Sequence, residues 1–246
     1  MKRRYRLPPI LEAVCEIHFE LESPFTSEQI ALLEPVWKPS YPLIQTNEEK
    51  GVQFQIGING VEVKDQTSGK RLVARSEDGT RLAQLSNGFL AVNQLKPYPG
   101  WKESFRAAIH LRLKDVSDHL PIKGVKEINL RYIDRLDFPQ VPLKWPDWFS
   151  FNLPVPTVIP SIGGKFQFQF ERELEGGLVV VFRFAAVDPV KADCSSVMLD
   201  TTVFWKGSAS LEECTDILER VHKPQSSIFD ESLTDQSRDL FGAYSV

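Results

Sequence analysis

Apolar and polar positions alternate along the first strand-like stretch of this chain. Over residues 11–21, Ala13, Cys15, Ile17, Phe19 and Leu21 interleave with Glu12, Val14, Glu16, His18 and Glu20. A period of two predicts a β-strand with one apolar and one mostly charged face. Pro24-Phe25-Thr26 then opens a short helix. Thr26 is placed as N-cap with Gln29 three residues on, Phe25 can staple onto Ile30, and Pro35 and Pro39 limit its length. Four strands are expected next, at 52–58, 70–75, 81–85 and 89–95. Asp78-Gly79 and Asn87-Gly88 supply hairpin dipeptides of the type I′ kind, and Asn59-Gly60 offers a third. From Trp101 the apolar positions recur every three or four residues through Phe105, Ile109, Leu113, Val116 and Leu120, predicting a helix with one apolar stripe.

The second half starts in the same way. A strand over 125–138 carries Ile128, Leu130, Tyr132 and Leu136 on one face and Arg131 and Arg135 on the other. A proline-rich crossover, 139–160, stands where the first half has its short helix. Strands at 165–173, 178–187 and 196–205 follow, with Gly176-Gly177 as the first hairpin turn. The alternation of Phe166, Phe168 and Phe170 with Lys165, Gln167, Gln169 and Glu171 puts the three rings on a core face. Ser210 and Glu213 form a capping box for a helix bearing Leu211, Cys214, Ile217, Leu218 and Val221. Lys223-Pro224 is expected to break that helix, and a last helical segment is expected over 227–241.

The element order, strand, helix, meander, helix, thus occurs twice. It predicts an α+β protein with a large antiparallel sheet and helices on one side, built as two tandem modules, 1–121 and 122–246, that face each other across a pseudo-twofold. Such an order is similar to helix-grip and saddle-type modules, which bind ligands or partners between a curved sheet and a long helix; that similarity concerns shape alone.

Composition changes this picture little. The 246 residues are 42% hydrophobic and 25% charged, as expected of a soluble globular chain. A formal net charge of −4 argues against nucleic acid, which attracts a basic stripe. Residues 1–6 resemble the charged start of a signal peptide, but no apolar region follows, and no run reaches the ~20 residues of a membrane span. Cys15, Cys194 and Cys214 have no C-x-x-C spacing and read as reduced thiols, so a cytoplasmic location is expected.

Several segments together carry a resemblance: Pro8-Pro9-Ile10-Leu11-Glu12-Ala13 running into Glu16-Ile17-His18-Phe19; Asn93-Gln94-Leu95 with Pro97-Tyr98-Pro99-Gly100-Trp101; Leu130 to Leu136 (LRYIDRL); and Thr234-Asp235 through Leu240-Phe241-Gly242. In order and spacing the chain resembles a sporadically distributed family of bacterial proteins of unknown function. The resemblance covers almost the whole chain and implies a scattered accessory gene. It implies no activity, cofactor or catalytic residue.

The candidate surfaces follow from the residues. Glu12, Glu16 and His18 share the charged face of the first strand, and if the two leading strands pair, Arg131 and Arg135 come opposite them. That set could orient a polar ligand or support acid–base chemistry through Glu16, His18 and Arg131; its alternative is a solvated sheet face with cross-strand charge pairs. Trp145, Trp148 and Phe149, in the proline-rich crossover, form a candidate interface with a partner or else a cover over the core. His18, His110, His119 and His222 lack metal-ligand spacing; His110 and His119 stand about 13–14 Å apart along a helix axis. Gly163-Gly164 and Gly176-Gly177 precede strands and read as turns, not phosphate loops. No cofactor is expected. The expected role is non-catalytic binding of a protein partner or a small ligand across the sheet face or at the module junction, with self-association left open. A third reading, nucleic acid on a concave sheet, needs Arg71, Arg75, Arg81, Arg131 and Arg135 on one face.

Overall fold

A computed structural model of the chain describes residues 3–57, 60–152, 156, 158 and 164–245, with the backbone alone over 48–57 and 60–69 and at 103. The expected turns at Asn59-Gly60 and Gly163-Gly164, and the end of the 139–160 crossover, involve residues outside these. A short strand β1 (Arg3–Tyr5) precedes the alternating strand, β2 (Ile10–Glu20). Two five-residue helices follow, α1 (Ser27–Ala31) and α2 (Leu33–Trp37). Thr26 and Gln29 form the reciprocal capping box: the Thr26 side chain accepts from the Gln29 N–H and the Gln29 side chain from the Thr26 N–H. Phe25 and Ile30 are both buried beneath it.

The meander runs as β3 (Leu43–Gly57), β4 (Gly60–Arg75), β5 (Arg81–Ser86) and β6 (Phe89–Leu95). The hairpin turns differ from expectation. Only Gly79 and Gly88 take positive φ; Asp78 and Asn87 do not, so neither turn is type I′. The side chains explain the change. Asp78 accepts from the Ser76 hydroxyl and from the Thr80 N–H and hydroxyl, and Asn87 accepts from the Phe25 N–H, tying the turn to α1. A π-helical turn, Trp101–Phe105, leads into α3 (Arg106–His119).

In the second half, β7 (Gly124–Phe138) is followed by the single turn α4 (Trp145–Trp148). Then come β8 (Gln167–Leu174), β9 (Leu178–Val187), β10 (Ser195–Ala209), α5 (Cys214–Ser232), α6 (Asp235–Leu240) and β11 (Ala243–Ser245). Pro224 does not break α5 but lies inside it, and the last helix begins only at Asp235, capped by Thr234. Proline removes one N–H from the helix ladder. Burial holds the helix across that point, because Cys214, Ile217, Leu218 and Val221 before it and Gln225 after it all pack inward.

Nine strands form one antiparallel sheet in the order β3-β4-β5-β6-β2-β7-β10-β9-β8. The two leading strands, β2 and β7, pair at its centre (Cys15 opposite Leu130, Ile17 opposite Ile128), and each half's meander extends outward from there. The apolar row of β2, with Ile128, Leu130 and Tyr132 of β7, faces α1, α2, α3 and α5 and forms the main core. A second core lies under α4 and α6 around Phe138, Trp148 and Phe184. Strand β8 is an edge. Its Phe168 is therefore only half-buried and Phe170 is 45% exposed, where alternation alone predicts a core face. The two ends of the chain meet as a separate ribbon, with Arg4 of β1 opposite Tyr244 of β11. No helix among the described residues is long and apolar enough to cross a membrane.

Candidate functional site

The sheet has two unlike faces, and the expected charged cluster lies on the one the helices leave open. On this face Val14 pairs with Arg131, Glu16 with Asn129 and His18 with Glu127. Glu12 accepts from Asn93 at 2.7 Å and Asn93 in turn from Gln84. The carboxylate of Glu16 is held below the usual range by His18 first, 3.9 Å away, and then by Asn129 and Arg131, against the opposing effect of partial burial. Arg131, set between these carboxylates, turns instead to Asp200 on β10. It forms a two-pronged pair with it at 2.8 and 2.7 Å, and Arg183 adds a third contact at 3.5 Å. Arg135 lies further along, bound to Asp137 and the Asp188 carbonyl. The strand pairing thus brings Glu12, Glu16, His18 and Arg131 together, while Arg135 joins a different cluster. Glu12, Glu16, Arg131 and Arg135 are hydrogen-bonded within a half-exposed ladder of cross-strand pairs, and neither of the two cavities described below includes Glu16, His18 or Arg131. Nor do the five arginines share a face. Arg81 reaches over Tyr41 on the helix side, whereas Arg71 sits over Phe89 on the open side.

The crossover aromatics occupy the covering position. Trp145, Trp148 and Phe149 are only 5%, 4% and 3% exposed. Trp148 stacks against Phe138 at 4.7 Å and donates its indole N–H to Gln140, while Trp145 donates to the Phe151 carbonyl. These rings are the core of the second half and present no contact surface. Beside them Phe151, Phe168, Phe170 and Phe182 line an apolar hollow of about 370 Å³ at the β8 edge.

The better-built site is a cavity of about 410 Å³ on the helix side of the sheet. Its floor is β7, whose even-numbered residues from Ile128 onward face the helices; Tyr132 and Asp134 are neighbours in that row. One wall is the 97–101 segment, where Gly100 takes φ +109 and ψ 157, a conformation that excludes side-chain-bearing residues. That geometry sets Trp101 at the head of the π-helical turn. The opposite wall is α5 around Pro224, with His222 and Gln225 turned inward. Trp101 and His222 stack across the gap with centroids 4.1 Å apart and planes within 5°, and the Tyr98 and Tyr132 hydroxyls meet at 2.9 Å. Pro8, Pro9 and the β1–β11 ribbon close the remaining side, where Arg3 and Tyr5 are both tied to Asp230.

Two groups in this cavity stand out. Asp134 is 2% exposed and Gln225 1% exposed, and Asp134 Oδ1 and Gln225 Oε1 have no hydrogen-bond partner. Burial, reinforced by the charge of Asp200, pushes the Asp134 carboxyl up to about 8, so it is mostly neutral at pH 7. Burial likewise pushes the Tyr132 hydroxyl well above its ordinary range. Among the described residues Trp37 Nε1, Arg112 Nη1, Asp115 Oδ2, Asn129 Oδ1 and Arg238 Nε also lack a hydrogen-bond partner, but Asp134 and Gln225 are the two that line this cavity. Sequence reasoning passed over both residues. The signal for Asp134 was present in the period of two, which continues the apolar row Ile128, Leu130, Tyr132 directly onto a carboxylate. Gln225 carries no such signal, since it follows a proline expected to end its helix.

Among the described residues, no group of three or more His, Cys, Asp or Glu side chains is placed to hold a metal ion. Comparison of the chain with protein-family models and with curated proteins finds no match.

Proposed function

We propose that the protein binds a small ligand in the 410 Å³ cavity, and that the two halves of the chain act as paired modules whose junction forms it. The first half contributes the 97–101 wall, and the second contributes the β7 floor and the α5 wall. The observation that carries this reading is the pair of buried, unpartnered oxygens of Asp134 on the cavity floor and Gln225 on its α5 wall. Each such atom costs about 1–3 kcal/mol when left unmet, a cost that a bound polar group offsets. The volume falls within the ~300–1,000 Å³ typical of small-molecule sites. Three segments that carry the family resemblance, 8–10, 97–101 and 130–136, contribute residues to this cavity, which supports the same reading.

The test is a small-molecule thermal-shift screen run on the wild type and on Ser226→Trp, whose larger side chain fills the cavity from α5. Hits that raise the wild-type melting temperature and lose their effect in the variant are the expected result. Hits that act equally on both would place binding elsewhere and remove the proposal.

A further inference from the structure

The chemistry of the cavity floor also says what class of ligand suits it, an inference that rests on the pocket reading above. Gln225 donates its Nε2–H to the Thr201 carbonyl at 3.2 Å. A carbonyl can only accept, so this bond fixes the amide orientation and leaves Oε1 as an acceptor. Asp134 Oδ1 is the second oxygen without a partner. Once Asp134 is ionised both atoms call for a donor, and an N–H group is the natural one. Around them the walls are aromatic: Tyr98, Trp101 and Tyr132, with Phe229 further along α5. Aromatic ring faces attract positive charge.

We propose that this pocket takes a small organic cation bearing N–H donors, an ammonium or amidinium group on an apolar body, with its charged head on Asp134 and Gln225. On binding, Asp134 gives up its proton to solvent and becomes the carboxylate that pairs with the cation. The charged and titratable groups around Asp134 come from β10, β7, the 97–101 wall, the π-helical turn, α5 and β1. Asp200, on the other face of the sheet, carries a like charge that opposes ionisation of Asp134; the hydroxyls of Tyr132 on β7 and Tyr98 on the 97–101 wall are hydrogen-bonded to each other. His222 faces the pocket from α5 and Lys102 from the π-helical turn. At the rim, Arg3 of β1 is engaged by Asp230, whose neighbour Glu231 adds a second negative charge, and Arg4 and Tyr244 complete the ribbon side.

The test is titration calorimetry with four probes of similar size: benzamidine and phenethylamine as cations, benzamide as a neutral isostere and benzoate as an anion. The expected result is that only the cations bind. Their affinity should rise roughly tenfold from about pH 6 to about pH 7 and level off above about pH 8, because the fraction of ionised Asp134 sets it. Asp134→Asn should abolish both the slope and at least tenfold of the affinity. His222→Phe, which keeps a ring on Trp101, should leave the slope intact and so exclude the histidine as its source. Binding of benzamide or benzoate that Ser226→Trp blocks would overturn the cation inference while leaving the pocket reading standing. Cation binding that ignores Asp134→Asn overturns the inference as well. If none of the four binds, the inference falls, and the thermal-shift screen decides the pocket separately.

Discussion

A carboxyl group kept neutral by burial works against folding at neutral pH, and Asp134→Asn makes that cost measurable. In the unfolded chain Asp134 ionises near the ordinary aspartate value of about 3.9, whereas in the fold it holds its proton up to about 8. Between those values the folded state carries one proton more than the unfolded state. Stability therefore falls as pH rises through this window, by about 1.4 kcal/mol per pH unit. The contribution of the neutral acid is fully present below the unfolded value and has been lost once pH passes the folded value. Asparagine keeps the shape but does not titrate. The variant should gain about 2–3 kcal/mol on the wild type between pH 5 and pH 7, and stand about 4 kcal/mol ahead at pH 7 if its amide is as well accommodated as the neutral acid. Urea denaturation of both proteins at pH 5, 6 and 7 measures this, and the change in their difference cancels every other titrating group. A difference that stays flat across the three pH values would refute the claim that Asp134 is buried and neutral.

Three further outcomes follow from the geometry. Asp200→Asn removes the like charge beside Asp134; the stability difference linked to Asp134 should therefore shrink and its upper limit move to lower pH, read by the same double comparison. It should also cost about 1–2 kcal/mol, because Arg131 and Arg183 lose their charged partner while staying partly solvated. Trp148→Ala empties a buried site against Phe138 and should cost about 3–5 kcal/mol in chemical denaturation; a loss below about 1 kcal/mol would return the ring to the surface. Gly100→Ala forces a side-chain-bearing residue to φ +109 and should cost about 1–3 kcal/mol while weakening ligand binding. Unchanged melting and binding would mean the 97–101 wall tolerates rearrangement.

Much of the fold was legible because it rests on local patterns. Alternation in β2 and β7 identified the two strands that pair at the sheet centre. The Thr26–Gln29 box appears where the residue types placed it, and β9 matches the expected 178–187 span. The departures arise where tertiary context overrides a local rule. Pro224 stays inside α5 because the helix is anchored by buried residues on both sides. Phe168 and Phe170 keep their period of two but stand on an edge strand, so the apolar face they share is partly open. The open-face cluster was foreseeable since Glu12, Glu16 and His18 are neighbours on one strand, and only strand pairing was needed to add Arg131. The cavity was not, because its floor, its two walls and its terminal ribbon come from segments around residues 4, 100, 134 and 225. No spacing rule links positions so distant; only the charge in an apolar row, at Asp134, pointed inward.

Native mass spectrometry of the wild type and Asp134→Asn, both purified gently from the protein's own host, reads occupancy of the cavity without a chosen probe. The wild type should retain a small mass that the variant loses. A small mass held equally by both proteins, or a macromolecular adduct in its place, would contradict a ligand site built on Asp134.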